Sequence, residues 1–124
     1  MIVGFTGTRT GMSEEQRDQF CLMLACFRSK NMNVFHYGAH ADVELKADVE
    51  AATIAGGEMG FELEPHCASR GGELVRNRDI VAAVDVLIAA PLVDKEELRS
   101  GTWATIRYAR AARKPVVMLS RGGR

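Results

Sequence analysis

Short apolar runs bounded by glycine or proline alternate along this chain with longer stretches whose apolar residues return every three or four positions. The first run, Ile2-Val3-Gly4-Phe5-Thr6, closes on Gly7-Thr8-Arg9-Thr10-Gly11, the pattern of a buried strand entering a phosphate-type turn. Ser13 with Gln16 three residues on makes a capping box for a helix over about 14–29, with Phe20, Leu24 and Phe27 as its inward stripe and Cys21 beside them. A second strand is predicted over 33–37, then a helix over about 42–55 that stops at Gly56-Gly57. A third strand, 59–64, is expected to end at Pro65, and the turn-like composition of 66–72 predicts a mobile loop. A short helix follows over 74–84.

Val86-Leu87-Ile88-Ala89-Ala90 has no polar alternation and reads as a central strand covered on both faces. Ser100 or Gly101 opens a helix to about 112, and Pro115-Val116-Val117-Met118-Leu119 supplies the last strand. About five strands alternating with helices predict an α/β fold: an open, doubly wound parallel sheet with right-handed crossovers. With 124 residues and no repeat or low-complexity linker, one domain over 1–124 is expected.

Composition narrows the functions. Sixteen basic and sixteen acidic residues cancel, which disfavours a protein that grips duplex DNA by mass neutralisation of phosphates. Arg107, Arg110 and Lys114 step along a helix as a solvated face. The three cysteines, Cys21, Cys26 and Cys67, have neither disulfide-framework nor zinc spacing, so a reducing cytoplasm is expected, with no metal and no cofactor. The first residues are expected to be a strand rather than an address label, and no apolar run reaches membrane-span length.

In a doubly wound sheet the ligand lies beyond the carboxyl ends of the strands. That selects Gly7, Thr8 and Arg9 after the first strand, Gly38 and Asp42 after the second, and Ser100, Gly101 and Thr102 after the fourth. Glycine lets backbone N–H groups approach an anion, hydroxyls add donors, and a helix start adds a favourable partial charge. Capping competes with this reading: Thr8 and Thr102 serve equally well as caps, and Asp42 either accepts a ribose hydroxyl or caps the second helix. Arg76 and Arg78, flanking Asn77, either meet an anion or pair with Glu73 and Asp79 while Asn77 or Asp79 caps. His36 and His40 bracket Gly38 without further ligands at metal spacing, and a half-buried His36 is expected. Trp103 packs in the core or an interface in preference to stacking on a base. Met59, Phe61 and Met118 are expected in the core.

Three segments together, Ile2-Val3-Gly4-Phe5-Thr6-Gly7-Thr8-Arg9, Arg76-Asn77-Arg78-Asp79-Ile80-Val81 and Arg99-Ser100-Gly101-Thr102-Trp103-Ala104-Thr105, resemble the SLOG superfamily of Rossmann-like domains, in particular its small YspA-type, cpYpsA-related members. Related patterns occur in DprA, which binds single-stranded DNA, and in the LOG phosphoribohydrolases. The resemblance implies a nucleotide or nucleotide-derived ligand held by the Gly7 turn, the Arg76 region and the Ser100-Gly101-Thr102 turn, in a homodimer or higher homo-oligomer. The LOG pattern carries a catalytic glutamate where this chain has Thr105, and the second loop, residues 36–42, is shortened against the usual form.

The expectation is therefore a binder of a nucleotide-like small molecule. The alternatives are a nucleoside-monophosphate N-glycosidase, with Asp42 as the weak catalytic candidate, and a DprA-like single-strand binder, which neutral charge and 6% aromatic residues disfavour.

Overall fold

A computed structural model describes residues 1–68 and 72–122. Five parallel strands form one sheet in the order β3-β2-β1-β4-β5: β1 (Ile2–Gly7), β2 (Val34–His40), β3 (Glu62–Ala68), β4 (Val86–Ala90) and β5 (Val116–Met118). The helices are α1 (Glu14–Phe27), α2 (Lys46–Thr53), α3 (Glu73–Ala83) and α4 (Gly101–Ala111), and a π-helical turn, Ile54–Glu58, extends α2. The expected α/β, Rossmann-like parallel sheet is what the chain forms.

Alternation along β4 shows how the layers are made. Val86, Ile88 and Ala90 face a core with Phe20 and Leu24 of α1 and Ala47, Ala51 and Ala52 of α2. Leu87 and Ala89 face the other way, toward Ile80 and Val81 of α3 and Trp103, Ile106 and Ala109 of α4. All five β4 residues are buried, as a strand covered on both faces requires. Phe5, Phe20 and Phe35 form an edge-on aromatic centre, with Phe5–Phe20 at 5.5 Å and Phe20–Phe35 at 5.7 Å between centroids.

β1 pairs with β2 on one side and β4 on the other, so the chain reverses its direction of winding between β1 and β4. At such a switch point the loops following the two strands diverge to opposite faces and leave a crevice at their carboxyl ends. Gly7 and Ala90, paired in the ladder, mark its floor.

Several boundaries differ from expectation for local reasons. Pro65 does not end the third strand. β3 is an edge strand that pairs only with β2, so the missing N–H of Pro65 is tolerated, and the ladder runs from Glu62 to Ala68 opposite Val34 to His40. Residues 66–68 of the expected mobile loop are thus strand, and 69–71 lie outside the described residues. Phe61 is buried just ahead of the strand, while Met59 and Met118 are partly buried. Gly56-Gly57 does not stop the second helix but lies inside the π-turn, whose Gly56 backs onto Leu63. That helix starts at Lys46, not near Asp42. Lys114 stands beyond the end of α4, where its Nζ donates to Val84 O at 2.7 Å rather than extending a solvated face.

The Ser13 capping box forms as expected, and Gln16 does more than cap. Wholly buried, it accepts from Ser13 N–H and donates Nε2 to Pro91 O at 2.8 Å and Leu119 O at 3.2 Å. One side chain thereby ties the start of α1 to the ends of β4 and β5.

Candidate functional site

A crevice of about 730 Å³ opens at the carboxyl ends of β1 and β4. Its walls are Gly7 at the end of β1 with Thr8 and Arg9 after it, Leu45 just before α2 and Asp48 in it, Glu73, Arg76 and Asn77 of α3, and residues 97–102 leading into α4. The size suits a nucleotide-sized ligand. Among the described residues no lining side chain is aromatic; Leu45, Leu92 and Leu98 supply apolar surface, and Leu98 is 86% exposed at the rim.

The first loop is shaped by what lies behind it. A Cβ on Gly7 would come within 2.7 Å of the Ala47 Cβ, so the glycine is required by the close approach of α2. From α2, Glu50 accepts Met12 N–H at 2.8 Å and pairs with Arg17 at 3.1 Å, while Arg17 also donates to Met12 O. This clip holds the far end of the loop and leaves Arg9 exposed at the crevice.

On the opposite wall Ser100 caps α4 by accepting Trp103 N–H at 3.2 Å. Thr102 is therefore not the cap. It is buried, lines the crevice, and its hydroxyl has no partner among the described residues. Gly101 and Thr102 present the first-turn end of α4 to the crevice, where the helix contributes a partial positive charge. Thr8 is likewise not a cap, since Ser13 holds that role; its hydroxyl contacts Thr10 at 2.8 Å.

Between the walls sit two buried ionisable groups. Arg76 lies one turn before Ile80 on the inward stripe of α3 and is only 9% exposed. It donates Nη1 to Ala39 O at 2.9 Å and Nε to Asn77 Oδ1 at 3.0 Å. Burial pushes its pKa down, Asp48 and Glu73 draw it back up, and Arg9 opposes them; guanidinium chemistry keeps it charged. Neither Asn77 nor Asp79 caps α3, whose N-cap is Gly72.

Asp48 is the residue that the sequence reading missed. It is 4% exposed on the inward face of α2 and accepts Gly38 N–H at 2.8 Å. Burial raises its carboxyl to about 7; the Gly38 hydrogen bond and the Arg76 charge offset only part of that. No ion pair joins it to Arg76. The signal was present in the pattern, because Asp48 shares the helix face of Ala51, Ala52 and Ala55 and is its only charged member.

Gly38 lies beneath these two side chains, buried and outside the lining. Asp42 falls away from the site: it is exposed, its side chain caps nothing, and its N–H donates to His40 Nδ1 at 3.0 Å. Neither role expected of it is supported. Arg78 points to the outer side of α3, where its guanidinium lies 5.2 Å from the Tyr108 ring centroid, in a separate groove of about 380 Å³ shared with Thr105. Thr105 is buried and turns its hydroxyl back onto Gly101 O.

His40 and His36 have separate surroundings. With Asp42 N–H on Nδ1, the His40 tautomer directs Nε2–H to Glu73 Oε1 at 3.0 Å, which positions that carboxylate at the crevice wall. His36 is half-buried on the sheet with Nδ1 2.7 Å from His66 Nε2; burial and then His66 lower its pKa, against Glu64. Trp103 is a core residue, packed with Ala89 and Ile106. No helix of the described residues is long and apolar enough to cross a membrane.

The crevice thus combines three arginines, a helix start and the unpartnered Thr102 hydroxyl with the carboxyl groups of Asp48, Glu73 and Glu97. No protein-family model matches this chain, and neither a curated protein nor a solved structure does.

Proposed function

We propose that this protein binds a nucleotide or nucleotide-derived small molecule in the crevice between β1 and β4. One observation carries the reading: Arg9, Arg76 and Arg99 converge with the first turn of α4 and the unpartnered Thr102 hydroxyl at the switch point of a parallel sheet. A phosphate seated against Gly101 and Thr102 meets backbone N–H groups, and the arginines neutralise it with directed donors. The mixed charge of the walls favours a small polyfunctional anion over a polymer, since Glu73 and Glu97 would repel a continuous phosphate track. Leu45, Leu92 and Leu98 offer an aliphatic surface for a base or sugar. The likeness of the three motifs to SLOG proteins supports the same reading, and with it a homo-oligomer.

A thermal-shift series with AMP, ADP, ADP-ribose, cyclic nucleotides, NAD and a short single-stranded oligonucleotide tests this. A ligand at a hundred times its dissociation constant adds about 2.7 kcal/mol, a shift of several degrees for a domain of this size. A selective shift with a mononucleotide or an ADP-ribose compound is expected; a shift with the oligonucleotide alone, lost at moderate salt, contradicts it.

Asp48 favours a second reading, hydrolysis of a nucleoside monophosphate at its N-glycosidic bond. A buried carboxyl raised to about 7 at the crevice wall is suited to proton transfer near neutral pH. Release of free base from AMP, abolished in Asp48→Asn, tests it; no turnover over hours leaves binding as the function.

A further inference from the structure

The buried carboxyl of Asp48 has a consequence for binding that does not require any bond to break. It lies on the crevice wall with one oxygen, Oδ2, held by Gly38 N–H at 2.8 Å. Among the described residues, charged and polar groups face it from several elements. β2 supplies the Gly38 amide; α3 supplies Arg76, and Glu73 held by His40; the β1–α1 loop supplies Arg9; and the segment before α4 supplies Glu97 and Arg99 across the opening. On its own helix, Glu50 is turned to Arg17 and Met12 N–H. Arg76 is the charge that acts on Asp48 directly, yet it directs its hydrogen bonds to Ala39 O and Asn77 Oδ1 rather than to the carboxyl group.

We propose that an anionic ligand enters this crevice together with a proton taken up on Asp48, whose carboxyl then donates a hydrogen bond to the ligand's phosphoryl group. The proposal rests on the nucleotide reading above and deepens it.

Two physical effects drive the uptake in the same direction. A phosphate held by Arg76 and Arg9 adds negative charge beside a carboxylate, and a ligand that fills the crevice removes the remaining water from it. Both favour the neutral acid. The O–H group then faces an anionic oxygen, the charge-assisted pairing in which hydrogen bonds are shortest and strongest. The free protein is already poised for this, because burial holds the group near half-protonation at neutral pH. The proton comes from solvent, the ligand keeps its charge, and no covalent bond changes.

Titration calorimetry with AMP at pH 6.0, 7.0, 7.75 and 8.5, in buffers of different ionisation enthalpy, provides the test. The dissociation constant is expected to rise about tenfold per pH unit above pH 7, and the buffer dependence of the heat is expected to show net uptake approaching one proton per AMP at the alkaline end. The second ionisation of AMP, near pH 6, strengthens phosphate binding as pH rises and so cannot imitate this slope. Asp48→Asn keeps both an acceptor for Gly38 N–H and a neutral donor for the phosphate, so it is expected to bind AMP with a dissociation constant flat from pH 7 to 8.5. A flat profile in the wild type, or an unchanged slope in Asp48→Asn, overturns the proposal while leaving nucleotide binding intact. No heat with AMP, nor with ADP, ADP-ribose or NAD, at any of these pH values overturns the nucleotide reading and this inference with it.

Discussion

Arg76 and Asp48 reach the same residue, Gly38, from helices packed on opposite faces of the sheet: a Cβ placed there would lie 3.1 Å from the Arg76 Cζ and 3.1 Å from the Asp48 Oδ2. The strand end between them is therefore the hinge of the site's electrostatics. It admits a cation from one layer and a carboxyl from the other because it carries no side chain. Gly38→Ala is expected to displace the guanidinium and weaken AMP binding at least tenfold, with a stability loss of about 1 to 2 kcal/mol from overpacking. Calorimetry with AMP, alongside urea unfolding, checks both parts; unchanged affinity would show that the space left by Gly38 does not set the Arg76 position needed for binding.

Thr102→Val separates a ligand group from a structural one. The hydroxyl has no partner within the described chain, and Ser100 already caps the helix, so the isosteric change is expected to leave the melting temperature within about a degree. Loss of a hydrogen bond to a charged phosphate, roughly 1.5 to 3 kcal/mol, is expected to weaken AMP binding by about ten- to a hundredfold. A drop in melting temperature with affinity intact would reverse the assignment.

Asp48 also makes a prediction about the free protein. Its folded pKa of about 7 lies above the ordinary carboxylate range, so the folded state prefers the neutral form. The difference in unfolding free energy between wild type and Asp48→Asn is expected to favour the wild type most below about pH 4, to fall by about 1.4 kcal/mol per pH unit as pH rises, and to level off above about pH 7. Paired denaturant titrations from pH 4 to 8 read this directly. A difference independent of pH would place the carboxyl in a solvated setting.

Gln16→Leu tests the buried tie between α1 and the strand ends. The change leaves Pro91 O and Leu119 O without their buried donor, at a cost of about 2 kcal/mol in urea unfolding. Nucleotide affinity should change little, because Gln16 does not line the crevice.

Much of this architecture was legible from periodicity. The uninterrupted apolar run 86–90 announced a strand covered on both faces, and Ser13 with Gln16 announced where α1 begins. The doubly wound pattern alone points to the strand ends and so to Gly7, Arg9 and Ser100-Gly101-Thr102, which line the crevice together; Arg76 joins them through its motif, since nothing local tells it from a solvated or ion-paired arginine. Illegible were features set by tertiary position. Pro65 is tolerated only because β3 is an edge, which no local pattern reveals. Arg76 and Arg78 look alike in sequence but sit 200° apart on an ideal helix, given 3.6 residues per turn, so one enters the crevice and the other stacks on Tyr108. Asp42 is well placed for ribose only in a second helix that begins there; with α2 starting at Lys46, the carboxyl group of that segment that reaches the site is Asp48.

The proposed seat of the nucleotide is the crevice between β1 and β4. The most direct measurement is amide chemical-shift mapping of the isotope-labelled protein during titration with AMP. Saturable shifts are expected at Gly7 to Arg9, Gly38, Arg76 to Asn77 and Gly101 to Thr102, with the outer α3–α4 groove at Arg78 and Tyr108 unaffected. Shifts centred on that outer groove, or none up to millimolar AMP, would contradict it.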